Sequence, residues 1–316
     1  MQPLDVIVPV YDEDLAVVRR TIEALRVAFA DRSQVSIFVV DDGSAPRYSL
    51  SELEHEPGIR LLRHASNRGY GQALKTAILS GAAPWIAIVD ADGSYPVGEL
   101  PHLVRLMEDS DLVVGVREGP INQGPLVRRW PRRLLNLTAS YMADVKIRDL
   151  NSGMRVFSRA LCYYLWPFFP TGFSFTSTLS MGAHMGGFRV SERPINYFRR
   201  SGQSSIRPLR DTYRFFRQVT RLGLIFYPMK VFGPVAALLC TVGAIKGFAI
   251  DFVRLGYIGN FALLSMLAGL QVAMMGLLGK LIVHSRLLGA IHPDVRNQAQ
   301  DEERRASSFG SFKPPG

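Results

Sequence analysis

Short apolar runs and segments of helical period alternate along residues 1–205. Leu4–Val10 is an apolar run broken by Pro9, and Leu15–Ala30 repeats its apolar residues at helical spacing. Val35–Val40 reads as a strand that ends in Asp41-Asp42-Gly43-Ser44. Ile59–Leu62 is a further short strand, Gly71–Gly81 a helix, and Trp85–Val89 a strand that ends in Asp90-Ala91-Asp92-Gly93. A helix over Val97–Asp109 leads to a strand over Leu112–Val116. This order predicts an α/β fold, a mostly parallel sheet with helices on both faces. In such sheets ligands sit beyond the carboxyl ends of the strands, where both acidic clusters fall.

The rhythm changes toward the end of the chain. Val231–Ile250 is 20 residues with one charge, Lys246; Phe261–Gly279 is 19 with none, and the apolar run continues past Lys280 to Val283. At about 1.5 Å per residue, helices of this length cross a hydrocarbon core of about 30 Å. The predicted spans are 231–252 and 260–283, a helical hairpin within residues 229–286; the alternative is a buried helical pair of a soluble domain. Met1–Val10 carries Asp5 and runs straight into a strand, so no secretory signal is expected. Arg214, Arg217 and Arg221 precede the first span, Lys280 and Arg286 close the second, and the connection holds only Arg254 at its centre. By the positive-inside rule both ends of the hairpin are expected in the cytoplasm, in a multi-pass protein of the cell membrane.

Residues 206–228 carry a pattern of their own. Arg207, Arg210, Arg214, Arg217 and Arg221 are spaced 3, 4, 3, 4, which makes one stripe on a helix. Phe215, Val219, Leu222 and Phe226 fall on roughly the opposite face. An amphipathic helix is expected, either lying at an anionic membrane surface or covering the preceding domain with its apolar face in the core. Residues 287–316, polar and mixed in charge from His292 onward, are expected to be disordered.

Composition sharpens this reading. With 316 residues and 47% hydrophobic content the chain can bury a substantial core. Its 28 Gly and 19 Pro lack any period, which excludes a collagen-like chain. Cys162 and Cys240 are the only cysteines; that excludes a disulfide scaffold and a multi-Cys zinc site and fits a reducing compartment. The net charge of +10 points to an anionic partner: nucleic acid, a phosphorylated small molecule or an anionic membrane face. The adjacent spans already account for the Arg stripe, so no nucleic-acid partner is expected.

Asp90-Ala91-Asp92 places two carboxylates one residue apart at a strand end, where an extended segment points both the same way. Like charges so placed repel unless a cation joins them. A hard divalent ion, Mg²⁺ or Mn²⁺, suits these oxygen ligands and would hold a substrate diphosphate. Alone, an Asp-x-Asp is more often a turn or cap, and Asp41-Asp42-Gly43-Ser44 also reads as a turn. The occurrence of both at successive strand ends favours chemistry.

Taken in order, the motifs resemble glycosyltransferase family 2, and within it the polyprenyl-phosphate glycosyltransferases typified by dolichyl-phosphate mannose synthase. The residues that carry the resemblance are Val8-Pro9-Val10-Tyr11-Asp12-Glu13, Val40-Asp41-Asp42-Gly43-Ser44, Asn67-Arg68-Gly69-Tyr70-Gly71, Asp90-Ala91-Asp92-Gly93-Ser94-Tyr95-Pro96, Val114-Gly115-Val116-Arg117 and Asp149-Leu150-Asn151-Ser152-Gly153-Met154-Arg155. Thr171-Gly172-Phe173, Arg199-Arg200-Ser201-Gly202-Gln203-Ser204 and the hairpin complete it. The resemblance implies a cytoplasmic GT-A-type catalytic domain over residues 1–205. It implies that Pro9, Tyr11, Glu13 and Asp42 hold the nucleoside of a UDP- or GDP-linked sugar. Asp90, Ala91 and Asp92 would meet the same nucleotide sugar, with Asp90 and Asp92 on the metal ion. Arg117 and Arg128 would lie near the phosphate of a polyprenyl acceptor and Arg199 near the donor diphosphate, so that Asp92, Arg117, Arg128 and Arg199 are the catalytic candidates.

Plainer readings stand beside these. Arg117 also reads as a surface charge after a strand, Arg128, Arg129, Arg132 and Arg133 as a membrane-facing basic cluster, and Asp149 as a cap or turn. Two positions depart from the family pattern. Ser94 stands where many relatives have Gln beside the metal, and Ser205 where relatives often have Lys; Arg200 and Arg207 are the candidates to replace that charge. The resemblance implies inversion at the anomeric carbon, and a homo-oligomer is compatible with it. A processive polysaccharide synthase of the same fold is the nearest rival, but its Gln-x-x-Arg-Trp motif is broken here, because Leu126 stands three residues before Arg129-Trp130. A non-enzymatic membrane adaptor is the other rival, against which Asp90, Asp92 and Arg117 argue.

Overall fold

The long runs of Val and Ile in the first strands belong to a sheet covered on both faces, where alternation with polar residues is unnecessary. The computed structural model describes residues 2–29, 34–118, 137–172, 174–198 and 208–289. It divides into two compact units, Met1–Leu222 and Gly223–Gly316. The first holds β1 (Leu4–Val10), α1 (Leu15–Ala28), β2 (Val35–Asp41), β3 (Ile59–Arg63), α2 (Tyr70–Ser80), β4 (Trp85–Ile88), α3 (Leu100–Arg105) and β5 (Leu112–Glu118). There follow α4 (137–143), β6 (Arg155–Ser158), α5 (Arg159–Leu165), α6 (Phe175–Met185), β7 (Val190–Asn196) and α7 (Pro208–Phe226), the last of which runs on past Leu222.

Seven strands form one sheet in the order β3-β2-β1-β4-β6-β5-β7, and β6 alone runs antiparallel to its neighbours. The carboxyl ends of β1, β2, β4 and β5 therefore share one edge with the amino end of β6. Leu4, Val6, Val8 and Val10 point to one face and join Val18, Ile22 and Leu25 of α1 and Leu100, Leu103 and Val104 of α3 in the core. Ile7, Phe38 and Val40 point the other way, where α2 covers β1 and β2 with buried Leu74 and Ile78.

Two details differ from the sequence expectation. Pro9 does not break β1, which stays paired with β2 through Pro9↔Val40. The ladder to β4 ends at Ile7↔Ile88, so the side from which Pro9 lacks an N–H has no strand to bond. The expected helix over Val97–Asp109 is a short α3 with a tight 3₁₀ turn on each side, and Pro101 occupies its first turn, where a missing N–H costs nothing.

In α7 the apolar residues Val219 and Leu222 are buried, and the Gln218 side chain donates to Thr178 Oγ1 of α6 at 3.0 Å. The Gln218 contact to α6 lies within the first unit. Arg217 and Arg221 are exposed.

The second unit is a hairpin of α8 (Pro228–Ala244), a π-helical stretch Ile245–Phe252, one turn of α9 (Val253–Leu255) and α10 (Asn260–Gly289). Pro228–Phe252 and Asn260–Val283 are long and apolar enough to cross a membrane, with mean hydropathy 1.7 and 2.0. Leu263, Leu267, Leu270, Leu278 and Leu281 are all more than half exposed, which is not how a buried pair of a soluble domain would look. Glycines let the helices approach: a Cβ on Gly243 would press on Met266, and one on Gly269 on Ala236 and Cys240 of α8. Lys246 pairs with Asp251, which also accepts from Gly259 N at 3.3 Å and so ties the turn of the hairpin.

Candidate active site

The edge formed by the carboxyl ends of β1, β2 and β4 is held together by short polar side chains. Asp12, just past β1, has φ +52°; its N–H donates to Ser44 Oγ at 3.0 Å and its carboxylate accepts from Ala45 N at 2.9 Å. The loops after β1 and β2 are thereby joined, with Tyr11 exposed beside them. Gly43, at φ +75°, lies against the backbone of Ser66, where any Cβ would collide. Asp42 is buried. It accepts from Arg68 N at 2.9 Å, Gly69 N at 2.8 Å and His64 Nδ1 at 2.6 Å, while Thr76 Oγ1 closes on the other ring nitrogen at 2.9 Å. Its carboxylate therefore shapes the turn that starts α2.

Asp90 follows β4. Tyr70, the first residue of α2, donates its hydroxyl to Asp90 Oδ1 at 3.0 Å. Burial, and then the charge of Asp90, push the Tyr70 phenol well above its ordinary range, so it stays a donor. Gly153 approaches the same carboxylate so closely that a Cβ there would clash with it. Residues 91–93 form a turn rather than a continuation of the strand, so the two-residue alternation of an extended segment does not orient this pair. Gly93 at φ +72° makes the turn, and Asp92 is buried with Ser94 N and Oγ donating to its Oδ1. Ala91 sits with its side chain in the core and its carbonyl on Thr21 Oγ1 at 3.2 Å.

Arg117, near the end of β5, lies on this edge too. Its Nε and Nη2 take both oxygens of Asp149 at 2.7 and 2.8 Å, and its backbone N–H adds a third bond at 3.2 Å. The guanidinium stands 5.3 Å over the Tyr197 ring. Burial works against its charge, but Tyr95 and Asp149 outweigh burial and hold it protonated. Asp149 is thus neither an isolated cap nor an isolated acid; it is half of a bidentate pair. Tyr95, whose hydroxyl accepts from Gly153 N at 2.6 Å, packs edge-on to Tyr197.

Pro9, Tyr11, Glu13, Asp42, Asp90, Ala91, Asp92 and Arg117 all belong to this one edge of the sheet. Arg128, Arg199, Arg200, Ser205 and Arg207 lie outside the described residues, as do Arg129, Arg132, Arg133, Phe173, the side chains of Arg210 and Arg214 and the tail from 290 onward. Among the described residues no three His, Cys, Asp or Glu gather as a metal cluster. Tyr70, Tyr95 and Arg155 lie inside the recognised motifs, but nothing in their spacing announced their contacts, and His64 lies outside every motif.

Residues 5–166, half of the chain, match the model of glycosyl transferase family 2. The chain belongs to glycosyl transferase family 2. It is a glycosyltransferase with a GT-A-type fold. Residues 227–284 match a second model, the GtrB C-terminal hairpin. The low-salt glycan biosynthesis hexosyltransferase of Haloferax volcanii is 30% identical over 285 residues, 86% of this chain and 67% of the relative. The undecaprenyl-phosphate 4-deoxy-4-formamido-L-arabinose transferase of Pseudomonas paraeruginosa is 28% identical over 325 aligned positions, 93% of this chain and 88% of its own. The dolichyl-phosphate hexose transferase of Haloferax volcanii is 29% identical over 208 residues, 62% and 88% of the two chains. Among solved structures, glucosyl-3-phosphoglycerate synthase of Mycobacterium tuberculosis matches with TM-score 0.51 and 18% identity over 70% of this chain and 80% of that one, a likeness of fold. Hairpin and composition together make this family member a membrane protein.

Proposed function

We propose that this glycosyltransferase moves a sugar, with inversion, from a UDP- or GDP-linked donor onto a polyprenyl phosphate at the cytoplasmic membrane face. The observation that carries the reading is the union in one chain of a family 2 catalytic region with an apolar hairpin, in a sequence that aligns over 93% of its length with an undecaprenyl-phosphate sugar transferase. Such an acceptor lives in the bilayer, and a hairpin of two spans keeps the catalytic unit beside it.

The donor set fits a hard divalent cation. Asp90 and Asp92 offer only oxygen, each is oriented by a hydroxyl, and a carboxylate has about four acceptor positions. Mg²⁺ in particular needs only one or two carboxylates when substrate phosphates complete its shell, so no third protein ligand is required. Asp90 and Asp92 would hold Mg²⁺ or Mn²⁺, which supplies positive charge to the departing nucleoside diphosphate.

The remaining chemistry belongs to the chain. A polyprenyl phosphate is already anionic at neutral pH, so its oxygen can attack without a strong base, and catalysis is mainly orientation and charge stabilisation. Arg117, fixed by Asp149, and Arg128 would orient the acceptor phosphate, and Arg199 would face the donor diphosphate. Pro9, Tyr11 and Glu13 would line the nucleoside, with Asp42 shaping the loop beside it. Exposed Arg217 and Arg221 would hold α7 to anionic lipid, both ends of the hairpin facing the cytoplasm.

The test is a panel of radiolabelled UDP- and GDP-sugars with the full chain in membranes and added polyprenyl phosphate. One sugar should pass into the organic phase, and excess chelator should stop it. Sugar accumulating only in a water-insoluble polymer would favour the processive synthase instead, and no turnover of any donor would favour the adaptor.

A further inference from the structure

Arg155 opens β6 and is completely buried, yet the proposed reaction gives it no task. Its donors go to neutral oxygens. Nε and Nη2 bond the Ser152 carbonyl, and Nη1 bonds the Thr176 carbonyl at 2.7 Å and Ser180 Oγ at 3.0 Å on α6. Burial lowers its pKa to about 10, partly offset by Tyr70, Asp149 and Tyr95, so it is charged at neutral pH. A buried cation held by carbonyls is an expensive way to fill a core, and an apolar side chain would serve packing better.

Its position explains the expense. Arg155 stands level with Ile88 of β4 on one side and Val114 of β5 on the other. Asp90 follows Ile88 by two residues and Arg117 follows Val114 by three. The loop that leads into Arg155 touches both. Asp149 grips Arg117, and Gly153 lies on the Asp90 carboxylate with its N–H on Tyr95. Between these points Ser152 Oγ bonds the Gly115 carbonyl at 2.5 Å, and Asn151 accepts from Ser177 of α6 at 2.7 Å.

We propose that Arg155 is a positioning residue that clamps loop 149–154 to α6 and thereby holds the Asp90 carboxylate and the Asp149–Arg117 pair at a fixed separation for the nucleotide sugar. This deepens the function proposed above and rests on it for the role of Asp90. Three variants of the full chain in detergent test it, Arg155→Met beside the following two. Arg155→Lys keeps the charge but cannot fork across two carbonyls; Tyr95→Phe removes only the hydroxyl that receives Gly153 and leaves the fold's core volume intact. Deuterium uptake within 149–154 should rise about tenfold in both, with β1 and β2 unchanged. The KM for the donor that the wild-type chain uses should rise about tenfold while kcat falls less, and Arg155→Met should be worse than Arg155→Lys.

Unchanged uptake in the loop overturns the proposal. So does an unchanged KM with a fall in kcat that follows the loss of thermal stability. If the Arg155 variants do not fold, Ser180→Ala, which removes an acceptor that anchors Arg155 to α6, decides in their place by the same uptake measurement. A wild-type chain that transfers nothing to polyprenyl phosphate refutes the proposed function instead, and the deuterium measurement, which needs no substrate, still decides whether Arg155 clamps the loop.

Discussion

Among the described residues each end of the sheet holds one largely buried aspartate–arginine pair, and only the second lies where the proposed chemistry takes place. At the amino ends of the strands, Asp5 of β1 meets Arg159 of α5 at 2.7 Å, with side chains 6% and 11% exposed. Asp5 also accepts from Ala83 N, while Arg159 bonds the carbonyls of Ala83 and Ile78. Gly81 is pressed on the Asp5 carboxylate. At the carboxyl ends, Asp149 and Arg117 also meet at 2.7 Å, 5% and 14% exposed. Chemistry and burial are nearly the same. What differs is that the second pair shares its loop with the neighbour of Asp90 and stands where parallel strands deliver ligands. Burial and ion pairing therefore do not mark a site by themselves; the strand end does.

The comparison can be broken at either pair. The largest effect should come from Asp92→Ala, on the same strand-end edge as the second pair, which should cut sugar transfer by about 10³-fold or more, far beyond what its loss of melting temperature in detergent accounts for. Retained activity would remove Asp92 from the chemistry. Asp5→Ala should do the reverse. It strands a buried Arg159 charge and should cost about 3–5 kcal/mol of stability in a denaturant titration, with kcat/KM of the folded fraction unchanged. If Asp5→Ala lowers kcat/KM at constant fold, the amino-end pair is more than structural.

Asp149→Asn keeps the shape but not the charge that fixes Arg117. A fall of about 10² in kcat/KM is expected, with a smaller loss of stability than Asp5→Ala. Equal losses of stability with activity preserved would make the two pairs alike. The smallest effect belongs to the exposed cations of α7. Arg217→Gln with Arg221→Gln should slow transfer to a long-chain polyprenyl phosphate by about fivefold per residue, since each base near an anionic surface is worth roughly 1 kcal/mol. Transfer to a short, water-soluble prenyl phosphate should hardly change. A matching loss of donor affinity would place these arginines in the site.

Much of this was legible in the chain because it is local. An apolar run flanked by turn residues is a strand wherever it lies, and Asp41-Asp42 and Asp90-Ala91-Asp92 fall at strand ends by adjacency alone. The hairpin was legible because its length is set by the bilayer. Pro9 misled because a proline removes one donor on one side, and only the neighbouring strand's length decides whether that donor was needed. The turn at residues 91–93 was hidden for a similar reason: two aspartates in sequence do not reveal where a strand stops.

Sequence by itself determined the α/β alternation, the acidic ends of β2 and β4, and two apolar segments long enough to span a bilayer, because each depends on residues close together in the chain. The tertiary structure alone decided that β6 runs against its neighbours, that Arg117 faces Asp149 32 residues away, and that Asp42 takes the amides of Arg68 and Gly69. It alone placed Arg155 beneath the loop that presses on Asp90. These are contacts between side chains brought together by strand order, and strand order is set by how two sheet faces are covered at once, a condition no short stretch of sequence carries.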